Sequence, residues 1–297
     1  RIDMAQLKET CRRLQDEKIR PLALVGIAGT TETGTVDPLD EMADPALELG
    51  CHFHVDAAWG GPTLFSERYR PLRTGISRAD SLTTDAHKQL YVPMGAGMVL
   101  FKDPTALSAI EHHANYILRH GSKDLGSHTL EGSRPGMAML VHAGLSIIGR
   151  KGYELLIDLG IERAGSFAQL ISQHPDFELT NAPQLNILTY RYCPKAVQHC
   201  LAQATDEQAA EINLLIDQVN QLLQKDQREA GKTFVSRTRL KVSGYAQELN
   251  VLRVVLANPL TTDDILTAVL DEQCTIVLQQ DIQSLLVQVN TLCGQIT

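Results

Sequence analysis

Lys88 lies in the run Thr84-Asp85-Ala86-His87-Lys88-Gln89-Leu90, just past a short apolar stretch and beside a histidine. An amine placed there can sit in a desolvated pocket and act as a nucleophile toward carbonyls. The plain alternative is a solvated loop lysine. Asp56 closes another apolar run and is followed by the small residues Ala57 and Ala58, then Gly60 and Gly61. A carboxylate in that setting can pair with a protonated ring nitrogen, and the small side chains let a flat ring approach, with Ala58 packed on its face. The alternative is that Asp56 only caps the next segment. His52 and His54 share a strand face with Asp56, because side chains alternate with period two. Two histidines and a carboxylate can bind a metal, but the pattern is loose and no metal is expected. His112, His113, His120 and His128 read as loop residues, and Gly132-Ser133 offers donors that could hold a phosphate.

Several elements must position these groups. Leu22–Ala28 is apolar without alternation, the pattern of a strand buried on both faces of a parallel sheet. Asp37 and Pro38 are the expected N-cap and first residue of a helix that Gly50 closes, and Pro45 is expected to kink or split it. Cys51–Asp56 reads as a second strand, with further strands at about 80–85 and 97–102. A helix over 5–19 precedes them. The strand–helix–strand alternation predicts an α/β sheet with its ligand site at strand ends, where Thr31, Asp56 and Lys88 fall. Residues 112–135 form a polar stretch long enough to be a functional loop or lid. One long helix is predicted over 136–173. After it come Leu185–Tyr192, a helix near 205–228, strands near 233–241 and 249–257, and a final helix capped by Thr261-Thr-Asp-Asp. The predicted domains are 1–147 and a smaller α+β domain, 148–297.

Composition narrows the classes. The 297 residues are 43% hydrophobic and 21% charged, as in a globular protein with a real core. A net charge of −8 argues against nucleic acid as a partner. No apolar run approaches the ~20 residues that span a bilayer. The cysteines at 11, 51, 193, 200, 274 and 293 form no CxxC pair, consistent with reduced thiols and a cytoplasmic location. The first residues do not resemble a signal peptide and read like the middle of a longer chain.

Taken together, His54-Val-Asp-Ala-Ala-Trp-Gly-Gly61 and Asp85-Ala-His-Lys88 resemble the group II pyridoxal-phosphate decarboxylases. These include glutamate, aromatic amino acid, cysteine sulfinate and diaminobutyrate enzymes. The likeness extends through Ala28-Gly29-Thr30-Thr31, Gly34, Asp37-Pro38-Leu39, His113-Ala-Asn-Tyr116 and Leu252–Pro259. Residues 85–97 and 121–136 look most like a bacterial aspartate 1-decarboxylase branch.

The resemblance implies the type I fold of such enzymes, pyridoxal 5'-phosphate as cofactor, a small acidic amino acid as substrate, and a homodimer with its site at the interface. It implies Lys88 as the Schiff-base lysine, His87 near the phosphate, Asp56 at the pyridine nitrogen with Ala58 against the ring, Thr31 at the polar edge, Ser133 at the phosphate, and Arg253 on the substrate α-carboxylate. An aminotransferase shares the fold and the lysine, and an inactive fragment needing a partner chain is a third reading.

Two departures stand out. The family's ring-stacking histidine and phosphate loop lie upstream of this sequence, so either the native protein is longer or this chain holds the cofactor poorly alone. No tyrosine occurs between Gly121 and Arg134, where the family's proton donor is expected. Lys123, His120, His128 or His87 are the substitutes.

Overall fold

The computed structural model describes residues 1–112, 125–129 and 135–296. The chain forms two compact units, one of residues 1–29 and 36–155, the other of residues 30–35 and 156–297.

In the first unit, helix α1 (Met4–Asp16) precedes strand β1 (Ala23–Ile27), helix α2 (Leu39–Leu49), and strands β2 (His52–Asp56), β3 (Ser81–Asp85) and β4 (Gly97–Phe101). The strands form one sheet in the order β1-β2-β3-β4. The first three are parallel and β4 returns antiparallel. Phe53, Val55, Leu39 and Met42 are buried. Gly26 allows the close approach of α2, since a Cβ there would meet Leu39 Cδ2 at 2.8 Å. The Asp3 side chain caps α1 by accepting from the amides of Ala5 and Gln6. At the other end of α2, Gly50 takes the left-handed conformation (φ 59°) that a C-terminal stop favours.

Among the described residues β1 has a strand partner on one side only, and its Val25 is 48% exposed. Two expectations fail here. Asp37 is not the N-cap of α2; that place belongs to Pro38, which has no side chain to offer an amide. The Asp37 carboxylate instead accepts from the amides of Ile2 (2.8 Å) and Ile27 (2.9 Å), tying down both the start of the chain and the end of β1. Pro45 does not split α2, which runs through it as one helix.

The long helix α3 (Met137–Gln173) is interrupted at Gly149, whose φ of 66° and ψ of 171° are not helical. The predicted single helix is therefore two, a break that glycine permits.

The second unit continues with strands β5 (Phe177–Leu179) and β6 (Ile187–Tyr192), helices α4 (Lys195–Leu201) and α5 (Asp206–Ala230), strands β7 (Ser236–Lys241) and β8 (Glu248–Val255), and helices α6 (Asp263–Val277) and α7 (Gln280–Cys293). Its sheet is antiparallel, in the order β5-β6-β8-β7. Helix α5 starts in a capping box of Thr205 and Gln208. It buries Ile212, Ile216, Val219 and Leu223, at helical spacing, in a core with Leu188, Tyr190 and Leu252 of the sheet. The predicted final helix is two, α6 with Thr262 as its cap and α7.

Candidate active site

Asp56 and Lys88 are brought to the same end of the first sheet. Asp56 is the last residue of β2 and pairs in register with Thr83 of β3, the parallel neighbour that leads into the turn carrying Lys88. The backbone locks the strand ends together: Ala28 N–H donates to Asp56 O (2.7 Å), Ala57 N–H to Thr83 O (2.9 Å) and Asp85 N–H to Ala58 O (3.2 Å). One Asp56 oxygen, Oδ1, accepts from the Ala58 amide at 3.0 Å. That bond turns the chain so that Ala58 follows directly beside the carboxylate.

Lys88 Nζ lies 2.9 Å from Asp85 Oδ2, and its side chain is 33% exposed. In this chain the lysine is thus an ion-paired amine. His87 Nδ1 is 3.0 Å from the Ala96 carbonyl. A carbonyl can only accept, so Nδ1 carries the proton and Nε2, 4.0 Å from Asp85 Oδ2, presents its lone pair in the neutral ring.

Local pattern did not reveal what supports these groups. Gln89, 3% exposed, donates from Nε2 to the Trp59 carbonyl at 2.7 Å and ties the lysine turn to the loop that follows Asp56. Arg73 is buried, and its Nε donates to the Gly60 carbonyl at 2.9 Å. Burial pulls its pKa down to about 10, so it stays charged at neutral pH. Among the described residues, Arg73 Nη2 and Thr84 Oγ1 are buried without a hydrogen-bond partner. Both lie where a side chain on the Gly60-Gly61 pair would have to go. The doubled glycine after Trp59 was the available signal for this crowding.

His52, His54 and Asp56 do share one face of β2. The two imidazoles converge on a hydroxyl: His52 Nε2 and His54 Nδ1 each lie 2.7 Å from Ser81 Oγ, and His54 Nε2 is 3.1 Å from Thr83 Oγ1. These rings are engaged in a side-chain network on the sheet.

Thr31 and Arg253 belong to the second unit, where they meet: Arg253 Nε donates to the Thr31 carbonyl at 2.8 Å. Among the described residues that leaves both Nη groups of the fork for a planar anion. Burial lowers the Arg253 pKa, and the nearby Glu32 carboxylate opposes the shift. The loop of residues 30–35 is stitched by Thr30 Oγ1 to Thr33 Oγ1 (2.8 Å) and by Asn181 Nδ2 donating to Thr33 O (3.3 Å). Ser133 lies outside the described residues, as do Gly132, His113, His120 and Lys123.

The residues present fit the ring of pyridoxal phosphate. Asp56 has its second carboxylate oxygen unengaged among the described residues, with a methyl-sized side chain next to it, and the amine of Lys88 stands at the adjoining strand end.

Residues 1–193 match the model of the pyridoxal-dependent decarboxylase conserved domain, and the chain belongs to that family. Over all 297 residues it is 57% identical to aspartate 1-decarboxylase of Aliivibrio fischeri, covering 54% of that protein. Over 89% of its length it is 30% identical to the aromatic-L-amino-acid decarboxylase of Bacillus atrophaeus, covering 52% of it. The chain thus spans about half the length of the curated relatives it matches. The crystal structure of mouse CSAD in apo form superposes on 93% of the chain with a TM-score of 0.81 at 24% identity, covering 56% of that chain. Oryza sativa TDC with PLP and tryptamine superposes on the same share with a TM-score of 0.78 at 22% identity, covering 54% of that chain. The fold is that of these type I enzymes. Among the described residues no helix is long and apolar enough to cross a membrane.

Proposed function

We propose that this chain forms the cofactor-anchoring part of a pyridoxal-phosphate enzyme that removes the α-carboxylate of aspartate as carbon dioxide. The observation that carries this reading is the pairing of Asp56 and Lys88 at the ends of adjacent parallel strands. The choice of aspartate rests on the 57% identity to the Aliivibrio fischeri protein of that name. In this reading residues 1–147 are the C-terminal part of the large cofactor domain and 148–297 the small domain. The enzyme is a cytoplasmic homodimer with its active site at the subunit interface.

Each side chain has a task. Lys88 presents the amine that anchors the cofactor, and Asp85 orients it and is the nearest acceptor for the proton that a nucleophilic amine must shed. Asp56 holds the proton on the ring nitrogen, and Ala58 keeps the adjoining surface flat. When bound, pyridoxal phosphate supplies the electron sink for the bond broken at the α-carbon. Arg253 binds the α-carboxylate through its two Nη groups and sets its direction, with Thr31 fixing the guanidinium plane. Fixing the direction of that carboxylate against the bound cofactor is where binding would become rate. His87, anchored through Nδ1, can hold a proton on Nε2 for return to the α-carbon.

The test is incubation of the protein and pyridoxal phosphate with aspartate or glutamate, following carbon dioxide, amine and keto acid. Carbon dioxide with β-alanine from aspartate supports the proposal. Stoichiometric keto acid would mean an aminotransferase and refute it. Borohydride reduction followed by peptide mapping should place the pyridoxyl group on Lys88, and a label elsewhere would refute that assignment.

A further inference from the structure

The second unit brings together three side chains that the proposed reaction does not use. His174 follows α3, Asp176 precedes β5 and Cys274 lies on α6, and all three are half-buried. One donor atom from each lies within 4.8 Å of the other two. His174 Nε2 is 3.8 Å from Cys274 Sγ, while Asp176 Oδ2 lies 4.0 Å from the other ring nitrogen, Nδ1. In a zinc tetrahedron with bonds of 2.0–2.3 Å, neighbouring nitrogen and sulfur ligands stand about 3.6 Å apart. The histidine–cysteine pair is already close to that separation, and the widest pair closes by about 1 Å.

Both the backbone and the ring of His174 are fixed. The His174 amide bonds back to the carbonyls of Leu170 and Ile171, and the imidazole packs edge-on against Phe177 with centroids 4.9 Å apart. Imidazole, carboxylate and thiolate together form a donor set suited to zinc more than to calcium or magnesium, which take oxygen ligands.

We propose that His174, Asp176 and Cys274 form a zinc-binding site with three protein ligands and a fourth position open to water. Binding deprotonates the thiol, whose proton passes to solvent. Ligation through Nε2 also moves the ring proton to Nδ1, so the bond that Nδ1 now accepts from the Asp176 amide at 3.1 Å is given up. That exchange makes the site weaker than a four-cysteine structural centre, and therefore one that loads and unloads.

Cobalt(II) titration of the whole chain tests it, because cobalt takes zinc's place and reports its ligands by absorption. The expected result is one equivalent per chain, with a thiolate charge-transfer band and the visible bands of a tetrahedral ion, displaced by zinc. Cys274→Ser should abolish the charge-transfer band, and His174→Gln should remove tetrahedral binding. No bands, or bands unchanged in both variants, would overturn the proposal. Should either variant fail to fold, the unsubstituted chain gives a second measure through mapped iodoacetamide labelling. With zinc at ~100 times its dissociation constant, labelling of Cys274 should slow about 100-fold, in proportion to the time the site stands empty. Equal labelling rates with and without zinc would refute it.

Discussion

Replacing Gly60 with alanine tests the packing beneath the Asp56 loop. Gly60 has φ −89° and ψ −6°, a conformation open to any residue, so alanine meets no backbone strain. By itself that change should stabilise the protein by about 0.4–1 kcal/mol, because the unfolded chain loses freedom. The added methyl, however, runs into the Ala28 carbonyl oxygen and Arg73 Nη2, and would stand 3.0 Å from Arg73 Cζ. Neither neighbour gives way easily. The Ala28 oxygen accepts from the Gly60 amide at 3.0 Å, and the buried guanidinium is pinned by its bond to the Gly60 carbonyl. Overpacking of this kind costs about 1–3 kcal/mol, and two rigid neighbours put it at the upper end. The net loss is then about 1–2.5 kcal/mol, a fall in Tm of about 2–10 °C. Thermal unfolding followed by circular dichroism reads this directly. In an Arg73→Met background the same substitution should cost less but not nothing, since the Ala28 carbonyl remains. A Gly60→Ala protein as stable as the parent, or more so, would refute the packing argument.

Asp56→Asn keeps an acceptor for the Ala58 amide, so stability should change by less than about 1 kcal/mol. Affinity for pyridoxal phosphate should fall at least about tenfold with loss of the charge-assisted bond, read by absorbance titration. Gln89→Met removes the bond to the Trp59 carbonyl from a buried position and should cost about 1–3 kcal/mol in urea unfolding, with weaker cofactor binding as the two loops separate. Arg253→Lys keeps the charge but loses both the fork and the Thr31 tether. It should lower kcat/KM by about 10–100-fold with little change in cofactor affinity. For pH, the buried Cys193 thiol is pushed up to about 12, chiefly by burial. Above about pH 9 the unfolded chain loses this proton while the folded chain keeps it, so stability falls as pH rises. Denaturation at pH 8 and 10 should show the loss reduced by about 1 kcal/mol in Cys193→Ala relative to the parent.

Strand ends were the readable part of this protein, because Asp56 and Lys88 sit in short motifs beside apolar runs. What fixes them was not readable, because it comes from far along the chain. Gln89 reaches back to Trp59, and Arg73 to Gly60, through contacts that no local periodicity encodes. Asp37 misled for a related reason: Asp-Pro before a helical pattern reads as a cap, yet the carboxylate is drawn to the ends of two other segments. The apolar run at Leu22–Ala28 was legible as a strand, which the structure places at Ala23–Ile27. Gly149 was visible as a residue, but an isolated glycine in a helical pattern is tolerated and does not by itself mark a break.

The hydroxyl of Ser81 stands between two imidazoles and owns a single proton. It can therefore donate to only one of them, and the other must donate to it. The chain His52–Ser81–His54–Thr83 consequently has two settings, with every hydrogen pointing one way or every hydrogen pointing the other. When His52 donates to Ser81, Ser81 donates to His54, and His54 donates to Thr83. Thr83 faces Asp56 across the strand pair. The tautomer of a ring at the surface of the sheet is in this way communicated, without any movement of the backbone, to the residue beside the carboxylate.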